Sequence, residues 1–364
     1  MWDAIEPGSL VDSPPPFNPA TVSGRMCLMS DTQPAIDATA PAETADIRLE
    51  RALAWAAEQL DQAPNEFSPV SGDASFRRYF RLHTPNGPLI LMVAPPEHGG
   101  SEPFVNIASR LRKAGLHAPK ILHFDLEQGY GLLEDLGDQL YRDLLTPTNA
   151  DELLPGLFDV LTRMAAHTDA TGLPPYDHAL LQTELDLFPD WYLGRHKQVV
   201  LSGHEAQIWQ AVCEQLKQSA TGQAQAFVHR DFHSCNLLYR EGEQVGIIDF
   251  QDAVQGPLNY DFISLVWDRY IAWPRARLET WMESFRSQLA PGIPAELWVK
   301  QCDWMGLQRN LKIVGIFARL HYRDSKTGYL EMVPRFYQYL LDVLPLYPEF
   351  KPFLDILEQP ECAP

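Results

Sequence analysis

The stretch His229-Arg230-Asp231-Phe232-His233-Ser234-Cys235-Asn236-Leu237-Leu238-Tyr239, continuing through Glu241-Gly242-Glu243-Gln244 into Val245-Gly246-Ile247-Ile248-Asp249-Phe250, decides how this chain is read. Two apolar runs flank a polar, glycine-containing turn, the pattern of a β-hairpin. Asn236 and Asp249 are equidistant from the midpoint between Gly242 and Glu243, so a regular hairpin makes them cross-strand neighbours. Opposed residues have Cβ atoms about 5 Å apart, close enough for a carboxylate and an amide carbonyl to share one hard cation through oxygen. Magnesium carrying phosphate is the natural occupant. Asp231 precedes the hairpin on a loop that can set its carboxylate beside the cation without coordinating it. From there it can accept a proton from an attacking hydroxyl.

Any one of these residues alone is an ordinary turn or cap residue. Together, the order H-R-D, four residues, N, then a hairpin ending in I-I-D-F matches a kinase catalytic loop and its metal-binding aspartate. Outward from this loop, Ile47 to Leu60 places Leu49, Leu53, Ala56 and Leu60 at helical spacing. Phe76 to Leu82 and Leu89 to Val93, separated by Thr84-Pro85-Asn86-Gly87, read as a hairpin. A helix follows from Ser101, placed to cap it, to Ala114, with Gly115 at its end. Strands at Ile121 to Phe124 and Tyr130 to Leu133 complete the small sheet. Beyond Glu134-Asp135-Leu136-Gly137-Asp138 the spacing turns helical, as in Leu153 to His167 and His204 to Gln218. The fold class is α+β: a small, mostly antiparallel sheet lobe over residues 46–136 and a larger, mainly helical lobe over 137–364.

Residues 1–45 hold seven of the 30 prolines, six acids and one arginine with little apolar pattern, and read as a disordered acidic tail; Met26 and Met29 make an over-long gene start an alternative. The formal charge of -19 argues against nucleic acid as a partner and favours a small-molecule substrate. No apolar run approaches the roughly 20 residues of a membrane span, and the N-terminus lacks a secretory pattern, so the expected location is the cytoplasm with no membrane partner. The five cysteines are scattered, without a disulfide or zinc pattern.

On these motifs, with Asp249-Phe250-Gln251-Asp252-Ala253, Gly256-Pro257-Leu258-Asn259-Tyr260-Asp261, Ser71-Gly72-Asp73-Ala74-Ser75-Phe76-Arg77-Arg78-Tyr79 and Leu132-Leu133-Glu134-Asp135-Leu136-Gly137, the chain over roughly residues 46–345 resembles the aminoglycoside phosphotransferase family, a small-molecule branch of the two-lobed protein-kinase-like fold. Within it, the resemblance is greatest to the bacterial kinases that phosphorylate N-acetylmuramate and N-acetylglucosamine at the anomeric hydroxyl during cell-wall (peptidoglycan) recycling. It implies ATP, Mg2+ and transfer of the γ-phosphoryl group to an amino sugar, with a sugar-1-phosphate nucleotidyltransferase as metabolic neighbour. It also implies Asp231 as catalytic base, Asn236 and Asp249 as magnesium ligands, and Glu134 to Leu136 as the hinge whose backbone pairs with adenine. Asp261 matches an acid that supports the catalytic loop, with a helix N-terminal acid as the other reading.

One departure from the kinase pattern stands out. The second strand of the first hairpin reads Leu91-Met92-Val93, without the usual phosphate-binding lysine. Arg78 is the favoured replacement, on the opposite strand face from Arg77 and Arg81, with a solvated basic face as the alternative. The loop containing Gly72 and Ser75 offers backbone N–H groups to phosphate. Candidate acceptor contacts are Glu184, Asp190 and Trp191, where acids can accept from hydroxyls and an indole can pack on a pyranose; a helix boundary with core aromatics is the competing reading. His233, Gln251 and Asp252 join them. Two other functions stay open: a phosphotransferase for aminoglycosides or other small hydroxyl compounds, and a nucleotide-binding pseudokinase that acts by interaction. The missing lysine supports the latter; Asp231, Asn236 and Asp249 together oppose it.

Overall fold

In the first lobe, the two faces of one sheet are covered by different helices, and which residues go to which face follows from strand alternation. The computed structural model describes residues 45–60, 64–70, 76–98 and 100–364. Residues 1–44, with nearly all of the expected tail, and the loop residues Gly72 and Ser75 lie outside the described residues. Helix α1 (Ala45–Gln59) precedes strands β1 (Glu66–Val70), β2 (Arg78–Thr84) and β3 (Gly87–Val93), helix α2 (Glu102–Lys113), and strands β4 (Ile121–Asp125) and β5 (Tyr130–Glu134). The five strands form a sheet in the order β1-β2-β3-β5-β4, antiparallel throughout. Phe80, Leu82, Leu91, Val93 and Leu132 pack under Ala52 and Ala56 of α1. Met92 and Leu133, one residue out of phase with Leu91 and Leu132, go to the other face with Phe104, Ile107 and Leu111 of α2.

Two local expectations change. Strand β1 carries little apolar alternation and contains Pro69, which an edge strand tolerates. Ser101 occupies the N-cap position of α2 but its side chain makes no capping bond, because its backbone (φ -106°, ψ 3°) is outside the extended region that aims a hydroxyl at the first turn. Gly115, at φ 74°, closes the other end: its N–H and that of Leu116 return to the carbonyls of Arg112 and Leu111 at 3.0 Å each.

The second lobe comprises α3 (Tyr141–Leu144), α4 (Ala150–His167), α5 (His178–Leu187), a π-helical segment Phe188–Lys197, α6 (Gly203–Thr221), β6 (Gln225–Val228), β7 (Leu237–Leu238), β8 (Gly246–Ile247), β9 (Val254–Pro257), α7 (Tyr260–Val266), α8 (Arg275–Leu289), α9 (Ala295–Tyr322), α10 (Val333–Val343) and α11 (Lys351–Leu357). Helix α9 is its axis, touching α5, α6, α7, α8, α10 and the π-helical segment. It is buried around most of its circumference, so its polar residues Asp303, Gln308, Arg309 and Lys312 are buried too. Strands β6 and β9 pair, as do β7 and β8. The loop 229–236 leaves β6 and enters β7, with α7 immediately after β9.

The register of the second pair differs from the symmetric one. Leu237 faces Ile247 and Leu238 faces Gly246, which places Asn236 opposite Ile248, and Ile248 N–H donates to the Asn236 carbonyl at 3.1 Å. The turn therefore centres on Gly242, whose φ of 74° suits a residue without Cβ.

Candidate active site

Asp249 is one residue beyond Ile248, yet its side chain still meets Asn236. It takes a left-handed conformation (φ 62°), and its Oδ2 lies 3.3 Å from Asn236 Nδ2. Arg230 is left-handed as well (φ 74°). Such conformations cost roughly 1–3 kcal/mol each for residues other than glycine and persist where the surroundings over-determine them. Here the surroundings are identifiable. Asp261, at the start of α7, accepts the N–H of His229 at 2.6 Å and that of Arg230 at 3.0 Å. Asn236 Nδ2 donates to the Asp231 carbonyl at 3.0 Å, and the His233 N–H donates to the same oxygen at 3.0 Å. The Asp231 N–H donates to His229 Nδ1 at 3.3 Å while His229 Nε2–H donates to the Ile248 carbonyl at 3.1 Å. His229 is therefore neutral, with its proton on Nε2; burial first, and His233 next, push it down to about 3.

The pocket fits a divalent cation. Burial, then the neighbouring Asp231 and Asp252, push Asp249 up to about 6, the situation a bound cation reverses. Gln251 Nε2 donates to Asp249 Oδ1 at 3.0 Å and to Asp252 Oδ2 at 3.3 Å, spacing the two acids apart. Among the described residues no three His, Cys, Asp or Glu gather into a metal cage. Two protein oxygens completed by water and phosphate suit magnesium, which usually retains several such ligands.

The sequence profile of the phosphotransferase enzyme family matches residues 66–296, spanning the sheet and the whole of this loop. The chain belongs to that family. Relatives of this phosphotransferase include N-acetylmuramate/N-acetylglucosamine kinases of Pseudomonas aeruginosa, 44% identical with 81% of this chain and 88% of that one covered, and of Neisseria meningitidis, 32% identical with 79% and 88% covered. Solved structures with the same fold include a choline/ethanolamine kinase family protein from Mesorhizobium loti, at a TM-score of 0.60 and 15% identity with 85% and 98% covered. Another is a thermostable mutant of aminoglycoside phosphotransferase APH(4)-Ia in ternary complex with ADP and hygromycin B, at 0.55 and 17% with 79% and 97% covered. The phosphotransferase is an enzyme, a kinase with the two-lobed α+β fold of these neighbours. Among the described residues no helix is long and apolar enough to cross a membrane.

The structure gives new surroundings to four basic or acidic side chains. Arg78 shares the α1 face of β2 with Phe80, and its guanidinium lies 4.9 Å over that ring, so alternation carries it away from the face that holds Met92. On the Met92 side lie Arg77 and Arg81. Arg77 is buried, and burial pushes the Tyr79 hydroxyl up to about 12 while Arg77 opposes and Asp249 adds to the shift, which brings all three into one electrostatic neighbourhood. Arg81 is taken up at the hinge: its guanidinium holds Asp135 at 2.5 and 3.0 Å and Asp138 at 2.6 and 2.9 Å. Glu184, read as a sugar contact, has both oxygens occupied inside the fold. It accepts from Tyr176, from Arg230 at 2.6 Å, and from Gln308 and Lys312 at 2.9 Å each. Although complete burial favours the neutral acid, Lys312 and Arg230 hold its carboxyl well below the usual range. It anchors the loop 229–236 to α9.

At the hinge, burial favours a protonated Glu134, but His117 at 3.1 Å, the Lys120 N–H at 2.9 Å and Arg112 at 3.3 Å hold it below its ordinary value. Leu136 packs with Leu140, Leu238 and Ile248 in a separate apolar cluster that joins residues 134–136 to β7, which follows Asn236, and to the residue before Asp249. The π-helical segment turns Phe188 and Tyr192 into the core, where they pack on Trp209, Phe353 and Tyr337. Asp190 is exposed and Trp191 half-buried. Sequence reasoning missed Asp268. Ser234 Oγ–H donates to it at 2.5 Å and the Tyr270 N–H at 2.7 Å, tying the loop 229–236 to the segment after α7. No spacing links Ser234 to Asp268; only the fold does.

Proposed function

We propose that this phosphotransferase moves the γ-phosphoryl group of ATP to the anomeric hydroxyl of N-acetylmuramate or N-acetylglucosamine. The observation that carries this reading is the 44% identity, across 81% of the chain, to a kinase named for both sugars. The assembled Asp231, Asn236 and Asp249 support turnover over a regulatory nucleotide-binding role. Asn236 and Asp249 would hold Mg2+, which when bound screens the phosphate charge. Asp231 acts as the base: as the sugar O1 attacks the γ-phosphorus, its proton passes to the carboxylate and the bond to the ADP oxygen breaks. An anomeric hydroxyl is more acidic than a primary alcohol and asks less of so weak a base.

The remaining chain supplies binding. Backbone groups at Glu134 to Leu136 pair with adenine, over the apolar cluster of Leu136, Leu238 and Ile248. Arg77 and the backbone around Gly72 and Ser75 hold phosphate in place of the missing lysine. Asp190, Trp191 and Asp252 are the acceptor candidates, and Gln251 acts through Asp249. A need for ATP supports a cytoplasmic location. The product, a sugar 1-phosphate, is a substrate for nucleotidyl transfer, consistent with a step in peptidoglycan recycling.

The test is ADP release with a panel of both amino sugars, kanamycin and choline, followed by phosphorus NMR of the product. Coupling of phosphate to the anomeric proton is the expected result. A 6-phosphate, or turnover with kanamycin alone, overturns the anomeric assignment.

A further inference from the structure

His233 sits between the proposed base and the proposed metal ligand, 3% exposed, and its Nε2 lies 3.2 Å from Arg269 Nη2. An arginine can only donate, so Nε2 must accept. In that contact the imidazole is neutral and carries its proton on Nδ1. That Nδ1 is buried and makes no hydrogen bond among the described residues. A buried donor left without an acceptor costs about 1–3 kcal/mol, so retaining one in a closed loop points to a ligand that completes it.

We infer that Arg269 fixes the tautomer of His233 so that its Nδ1–H donates to an oxygen of the transferring phosphoryl group. The inference rests on the kinase reading above but not on which sugar is used. Several observations favour phosphoryl over sugar as the acceptor. The loop bonds His233 N–H to Asp231 O at 3.0 Å and Asn236 N–H to His233 O at 2.9 Å, fixing the imidazole between the groups that handle the proton and the metal. Asp249, where phosphate would gather, lies close enough to His233 for the two to interact. Arg269 and Arg309, 5% and 4% exposed, lie close enough to repel each other, and Arg309 also feels the acids Asp231 and Asp268, so buried guanidinium groups line this side of the loop. Negative charge in flight between donor and acceptor oxygens is stabilised by a fixed donor that need not reorganise. Arg269 is a positioning residue acting through His233.

Two measurements test this. Long-range proton–nitrogen NMR of the histidine-labelled, nucleotide-free protein, with the signal assigned by its loss in His233→Asn, should show His233 protonated on Nδ1. In Arg269→Met that preference should relax. In kinetics, His233→Gln removes the donor at the Nδ1 position and should lower kcat on the order of 10²-fold. The KM values for ATP and sugar should stay within about threefold, the mark of an interaction made in the transition state. His233→Asn keeps an N–H near the Nδ1 position and should retain kcat within about tenfold. Calorimetry of MgADP with aluminium fluoride and sugar should show a loss in His233→Gln matching that in kcat, with MgADP alone binding as in the wild type. An Nε2-protonated His233, an unchanged kcat in His233→Gln, or a rise confined to the sugar KM each overturns the inference. If the wild type phosphorylates kanamycin and neither amino sugar, the acceptor assignment fails, and the same comparison run on kanamycin still decides His233.

Discussion

Replacing Asp231 by Asn keeps its shape and removes the basic carboxylate. Turnover is expected to fall by about 10²- to 10⁴-fold in a coupled ADP-release assay, with little change in ATP affinity by calorimetry. Near-normal turnover would show that another group takes the proton. The two arginines at the start of β2 offer a sharper contrast, because they differ by one position and opposite faces. Arg77→Ala should lower kcat/KM for ATP by about 10- to 100-fold, the worth of a hydrogen bond to a charged group. Arg78→Ala, which loses a cation–π contact on the α1 side, should keep its kinetics close to wild type. The reverse order of effects would return the phosphate role to Arg78.

For single elements, α9 is the informative case. Gly306 lies in its interior, where intrinsic propensity favours alanine by about 1 kcal/mol. A Cβ there would come within 1.1 Å of the Trp267 ring, which packs directly on the helix backbone. Overpacking costs typically 1–3 kcal/mol or more, so Gly306→Ala should lower the melting temperature despite the better helix former. A raised melting temperature would mean that Trp267 can swing aside. The π-helical segment carries a similar lesson: Phe188 and Tyr192 are in the core and Asp190 is exposed, as helical spacing requires, whereas Trp191, which α-helical spacing groups with Phe188, is only half-buried.

The molecule as a whole is tied together by buried ionic groups that join the loop 229–236 to the central helix. Glu184→Gln leaves Arg230 and Lys312 buried without their counter-charge, and a loss of about 3–5 kcal/mol in chemical unfolding is expected. A change below about 1 kcal/mol would show that the network relaxes around the amide. The buried His229 adds a pH dependence. Its folded pKa of about 3 lies below the usual value near 6.5, so its stabilisation is complete above pH 6.5 and is lost as pH falls toward 3. The loss amounts to about 2 kcal/mol by pH 5. His229→Asn, which keeps an acceptor for the Asp231 N–H, should be less stable at pH 8 but lose about 2 kcal/mol less than wild type between pH 8 and pH 5. Equal pH slopes for the two proteins would remove His229 as the titrating group.

What the sequence determined by itself was whatever depends on residues near one another along the chain. The hairpin of β2 and β3, the helix of α2 and the order of Asp231, Asn236 and Asp249 are all local patterns of period, turn chemistry and spacing. Even the one-residue error in the register around Gly242 left Asn236 and Asp249 as neighbours, because the left-handed Asp249 turns its carboxylate back. Tertiary structure alone decided which side of a strand is covered by α1, and so placed Arg78 on that side and Arg77 on the other; alternation yields two faces but does not say which is which. It also decided that Glu184 is consumed by Arg230, Gln308 and Lys312, that Ser234 meets Asp268, and that Arg269 reaches His233. Those pairings join residues far apart in the chain, and a buried charge selects its partner only after packing has excluded water from both.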